Sequence, residues 1–161
     1  MTEVGSAPGL HPAVTPLAFL LGRWLGEGEG RYPTIAPFRY GEEIHLWHVG
    51  KPFLAYSQRT WALDDSRPLH TESGYWRCPG DDRVELVIAH PTGQVEVEEG
   101  TRRGTTLLLR STAVARTSSA KDVTGLGRHV EVDGDVLTYR LEMAAVGRPR
   151  QVHLEATLRR V

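Results

Sequence analysis

From Gly22 onward the chain alternates between apolar and polar positions, and a turn signal interrupts it about every ten residues. Period two is the spacing of an extended strand, whose side chains point alternately to opposite faces. Alternating runs fall near residues 22–32, 38–48, 53–63, 69–78, 83–90, 94–100, 105–116, 126–132, 135–145 and 150–160. The breaks hold Pro33, Gly50-Lys51-Pro52, Asp64-Asp65-Ser66-Arg67-Pro68, Pro79-Gly80, Pro91-Thr92-Gly93, Arg103-Gly104, Asp133-Gly134 and Gly147-Arg148-Pro149. Asp133-Gly134 is the strongest hairpin signal, because a two-residue hairpin turn favours residues that tolerate positive φ. Ten short strands with tight connections and almost no helix predict an all-β, antiparallel up-and-down barrel. Ahead of them, Thr15 to Gly22 reads as a short helix, with Thr15 as N-cap, Pro16 in the first turn and Gly22 as its end. Its apolar residues suit a plug for one end of a barrel; a hydrophobic lead-in strand is the alternative. Residues 1–13, rich in Pro, Gly and small side chains, predict a disordered tail, which leaves 14–161 as a single domain.

The first strand is unusual. Gly22, Trp24, Gly26, Gly28 and Gly30 share one face, so a bulky anchor is followed by a bare, bendable half. A bare face lets another backbone or a flat ligand come close, and suits a strand that curves sharply to start a closed barrel. An ordinary edge strand weakened by glycine gives the same spacing.

The interior reads as mixed. Leu137, Tyr139, Leu141, Met143 and Ala145 share a face, as do Val84, Leu86, Ile88 and His90. Apolar walls interrupted by polar groups fit a cavity better than a filled core, although a small filled barrel remains the simpler alternative. With 19 basic and 20 acidic residues and a net charge of −1, nothing favours nucleic acid or an anionic membrane. No apolar run approaches a membrane span, and residues 1–13 lack the features of a secretory signal, so a cytoplasmic location is expected. Cys78, the one cysteine, has no partner for an intrachain disulfide.

Motifs for a serine nucleophile, a phosphate loop, a dinucleotide or a zinc-binding helix are absent. Seven histidines remain: His11, His45, His48, His70, His90, His129 and His153. Their spacings match no zinc pattern. His70 and His90 suit inward-facing wall positions. His153 is harder to place: strict alternation groups Val152, Leu154, Ala156 and Leu158, and puts His153 with Glu155 and Thr157 on the polar face. It reaches a cavity only if the last strand carries a bulge, or if the interior is mixed near the mouth. The non-periodic stretch from Thr117 to Gly125, which holds Lys121, suits a functional loop.

Gly22-x-Trp24-x-Gly26-x-Gly28, followed by Gly30-x-Tyr32-Pro33-Thr34-Ile35, resembles the signature of the nitrobindin family. Further stretches agree, in order and without a large gap: Phe38 to Glu43, His48-Val49-Gly50-Lys51-Pro52, Leu69-His70-x-Glu72-x-Gly74-Tyr75, Val95 to Gly100, Ala120-Lys121-x-Val123, and His153-Leu154. Lipocalins and fatty-acid-binding proteins share the opening Gly-x-Trp, whereas the ordered set is specific.

The resemblance implies a ten-stranded barrel similar to fatty-acid-binding proteins, with one ferric b-type haem (heme b) per subunit near the mouth. It implies that His153 is the axial iron ligand, against the face that alternation assigns it. It also implies that Thr34 lies near the haem and Lys121 beside a propionate, with Arg128 as the competing cation, and that His70 and Met143 belong to the pocket wall. The implied activity is nitric oxide binding and isomerisation of peroxynitrite to nitrate, with no catalytic side chain beyond the haem iron; a homodimer stays open. Two other readings stand beside it: a lipocalin-like carrier of an apolar small molecule, and a non-catalytic sensor of haem or nitric oxide.

Overall fold

The computed structural model describes residues 6–161. Of the tail expected over residues 1–13, Met1 to Gly5 lie outside the described residues, and Leu10 packs against the core.

Ten antiparallel strands follow a short helix: Gly22–Tyr32 (β1), Ile35–Trp47 (β2), Leu54–Ala62 (β3), Pro68–Gly80 (β4), Arg83–Ala89 (β5), Gln94–Arg103 (β6), Thr106–Arg116 (β7), Val123–Asp133 (β8), Val136–Ala145 (β9) and Gln151–Arg160 (β10). Each strand pairs with its neighbour in sequence, and β1 pairs with β10 to close the barrel. The turn residues set the boundaries. Gly104 and Gly134 sit at φ 58° and 57°, a left-handed conformation that a tight hairpin needs and that glycine reaches without strain.

The glycine face of β1 is consumed by that closure. A Cβ on Gly26 would lie 2.1 Å from the Thr157 carbonyl oxygen, and one on Gly28 would lie 2.5 Å from the Tyr40 ring. Close approach of β10 and of inward aromatic side chains therefore uses the space a side chain would fill. The bare face serves the seam rather than a flat ligand.

The helix runs over Pro12–Leu20 and is of the 3-10 type. It starts earlier than the Thr15 cap predicts, because His11 Nδ1 accepts the Ala13 amide at 3.1 Å and Pro12 takes the first turn. Val14, Leu17 and Leu20 are buried against the barrel interior. Trp24 joins the plug to the wall: its Nε1–H donates to the Leu20 carbonyl at 2.9 Å, and the Arg160 guanidinium lies over its ring at 4.1 Å. Leu54, Trp76, Leu86, Leu107, Leu137 and Leu158 belong to the same buried core. Among the described residues no helix is long and apolar enough to cross a membrane.

Candidate functional site

A cavity of about 430 Å³ runs from Leu20 at the plugged end to Leu69, Val123 and Met143 at the other. That volume is within the range of small-molecule sites. Leu126, Leu141 and Leu154 line it, together with the predicted wall residues His70 and Met143.

His153 lines the same cavity, and the pairing of β10 shows how. Val152 faces Glu142 and Leu154 faces Leu141, so β10 carries one residue more than β9 at this point. The extra residue is His153. The bulge turns both His153 and Leu154 toward the interior, which strict alternation forbids. His153 Nδ1 lies 2.9 Å from the Arg31 carbonyl oxygen. A carbonyl only accepts, so Nδ1 carries the proton and Nε2 keeps the lone pair. The imidazole meets Tyr32 edge-on, with centroids 5.4 Å apart. Tyr32 is itself pinned, its hydroxyl accepting the Ala145 amide at 2.9 Å. Burial, reinforced by the charge of Lys121, pushes the His153 pKa down, although the Arg31 carbonyl opposes this. The neutral ring is thus the favoured form at neutral pH.

Lys121 is exposed on the loop between β7 and β8, and its carbonyl accepts from Gln94 Nε2 at 3.2 Å. Thr34 is exposed in the β1–β2 turn, two residues beyond Tyr32. Arg128 lines the same cavity, but it is only 10% exposed and bonds inside the barrel to Glu96 and Glu98, the latter at 3.2 Å.

Sequence reasoning misses the polar belt around Arg128. On β6, Gln94, Glu96 and Glu98 are buried and Val95 is 44% exposed. Glu42 and Glu72 are buried too. Glu42 accepts from Gln58 Nε2 at 2.6 Å and from the Tyr139 hydroxyl at 2.8 Å. Glu72 accepts from the Tyr56 hydroxyl at 2.8 Å. Burial pushes Glu42 and Glu98 up to about 7 each, against the pull of their hydrogen-bond partners and Arg128. Burial also opposes ionisation of Glu72, but His70, Arg128, His90 and Tyr56 together outweigh it and hold its pKa down at about 2. Period two shows that residues 94, 96 and 98 share a face, but not which face is inside. The signal available was the single arginine on β8 that several carboxylates can share.

Residues 13–160 match the family described as a THAP4-like, heme-binding beta-barrel domain. The chain belongs to that family. Its architecture agrees with a crystal structure of Rv2717c from M. tuberculosis, with a TM-score of 0.90 and 48% identity over 95% of this chain and 99% of that one. Curated relatives of the family include a peroxynitrite isomerase from Nocardia farcinica, 54% identical over 99% of this chain and 98% of its own length. Another is peroxynitrite isomerase 2 from Mycobacterium avium, 52% identical over 94% of this chain and 96% of its own. The family's cofactor suits what the residues offer here: one oriented, neutral imidazole in a largely apolar cavity.

Proposed function

We infer that this chain is a haem-dependent peroxynitrite isomerase. Each chain would hold one b-type haem, ferric, on His153 Nε2, and would also bind nitric oxide. The observation that carries this reading is the β10 bulge, which brings a neutral, tautomer-locked histidine to the largely leucine-lined part of the cavity. The Arg31 carbonyl orients the ring and raises its basicity as a donor, the usual task of such a partner. Tyr32 wedges against the ring and keeps it from rotating. When bound, ferric haem supplies an electrophilic iron that takes small anionic or diatomic ligands. The leucine-rich walls limit water around such a ligand. Lys121 gives the mouth a positive charge, suited to a propionate or to an incoming anion, and Thr34 is assigned to the rim. A homodimer, to be read by sedimentation, and a cytoplasmic location belong to the same reading.

The test is absorption with added hemin, combined with stopped-flow decay of peroxynitrite. The wild type is expected to give a Soret band and faster decay. His153→Ala should lose both while its circular dichroism spectrum stays that of a β-barrel. Retention of both would overturn the assignment. Absence of the band in the wild type, with tight fatty-acid binding, would favour the carrier. Ligand binding without faster decay would favour the sensor.

A further inference from the structure

The polar belt contains a second cluster of ligand-type side chains on the cavity wall. His70 Nε2 and His90 Nδ1 are 3.1 Å apart, and each lies 3.4 Å from Glu72 Oε2. Three donor atoms, two imidazole nitrogens and one carboxylate oxygen, thus form a nearly equilateral triangle. Metal–nitrogen and metal–oxygen bonds in zinc sites are about 2.0–2.2 Å, which makes the edges of a tetrahedral ligand set about 3.3–3.6 Å. The observed triangle fits one face of such a set. We propose that His70, Glu72 and His90 form a second metal site, for a divalent first-row ion with nitrogen and oxygen preference such as Zn²⁺.

The surroundings are built as a metal site requires. The other nitrogen of His90, Nε2, faces Glu96 Oε1 at 3.5 Å, a carboxylate behind a ligating histidine. The other oxygen of Glu72 is held by the Tyr56 hydroxyl, which leaves Oε2 for the ion. His70 is 32% exposed, which gives an ion a way in from the cavity. Three protein ligands leave a fourth position free on that side, the pattern of an open site rather than a closed structural one. An independent observation points the same way. Glu96 Oε2 and Glu98 Oε2 are buried without a hydrogen-bond partner among the described residues. Three buried carboxylates, Glu72, Glu96 and Glu98, lie within 4.0 Å of the one Arg128 guanidinium, so this side of the belt can take a further cation. The cluster lines the same cavity as His153 but on other strands: His70 and Glu72 lie on β4, four strands from β10 around the ring, and His90 follows β5, five strands from it.

Calorimetric titration of the full-length chain, stripped of adventitious metal with a chelator, tests this with Zn²⁺ as the probe; Co²⁺ absorption reports the coordination. One ion per chain is expected. His70→Ala and His90→Ala should each weaken binding by at least about 100-fold. Glu96→Gln, which removes the charge behind His90, should weaken it by roughly 10–100-fold. His70→Gln and His90→Gln replace any alanine variant whose circular dichroism shows unfolding. His153→Ala should bind zinc as the wild type does, so this site and the haem reading fail separately. Zinc binding that is absent in the wild type, or unchanged in the His70 and His90 variants, would overturn the proposal.

Discussion

At the scale of single residues, the outcome turns on side chains that one local irregularity redirects. His153 reads as solvent-facing in a strictly alternating strand, and only an added residue in β10 brings it inward. Bulges leave no mark on period-two patterning, so the family resemblance, not the alternation, pointed to it. The carboxylates Glu42, Glu72, Glu96 and Glu98 escaped for a related reason. A buried charge is made tolerable by partners on distant strands, and Arg128, Tyr139 and Gln58 are remote in sequence from the groups they bond. Lys121 offers a milder test. An exposed cation paired with a propionate contributes little, so Lys121→Ala should raise the haem dissociation rate by no more than about fivefold. It should leave the thermal midpoint of the haem-free chain unchanged. Identical dissociation rates would remove Lys121 from the site.

At the scale of elements, the strands were the legible part. Turn residues bracket them, and observed ends fall within a few residues of those the punctuation predicts. The helix was less so, because histidine is not among the usual capping residues and His11 does the capping. The glycine face of β1 was visible, but its use was not: spacing alone cannot separate room for a ligand from room for a neighbouring strand. The difference is testable. Gly28→Val places branched carbons where the Tyr40 ring and the Glu155 carbonyl lie, 2.5 Å and 2.7 Å from a Cβ. Overpacking of this kind costs about 1–3 kcal/mol, to be read as a lower urea midpoint. Glu27→Ala, on the outer face of the same strand, should shift it far less.

At the scale of the whole molecule, the interior charge makes stability depend on pH. Glu42 and Glu98 have pKa values raised from 4.5 to about 7 in the folded chain, so they retain protons that the unfolded chain releases. Stability should therefore fall as pH rises from the ordinary carboxylate range through about 7. His90 adds to the same trend: burial lowers its pKa, but Glu96 and Glu72 raise it by more. Glu72 has the opposite sign, its contribution being present above 4.5 and lost as pH falls toward about 2. Urea midpoints from about pH 5 to about pH 8 should decline, and the Glu42→Gln, Glu98→Gln double variant should flatten the decline. An unchanged slope in that variant would place the titration elsewhere.

The pairing of β1 with β10 also sets an order of events during synthesis. Trp24 is registered against Arg160, so the first and last strands of the barrel must meet across almost the entire chain. Non-local pairing of this kind is slow, because loop closure precedes any gain from contact. On the ribosome, β2 through β9 can form hairpins as they emerge, but the seam waits for β10. His153 and its bulge belong to that last strand, whereas Tyr32 and Arg31, which hold the imidazole, belong to the first. If His153 holds haem as proposed, that site would be complete only once the barrel closes, and a nascent chain would carry no premature grip on haem.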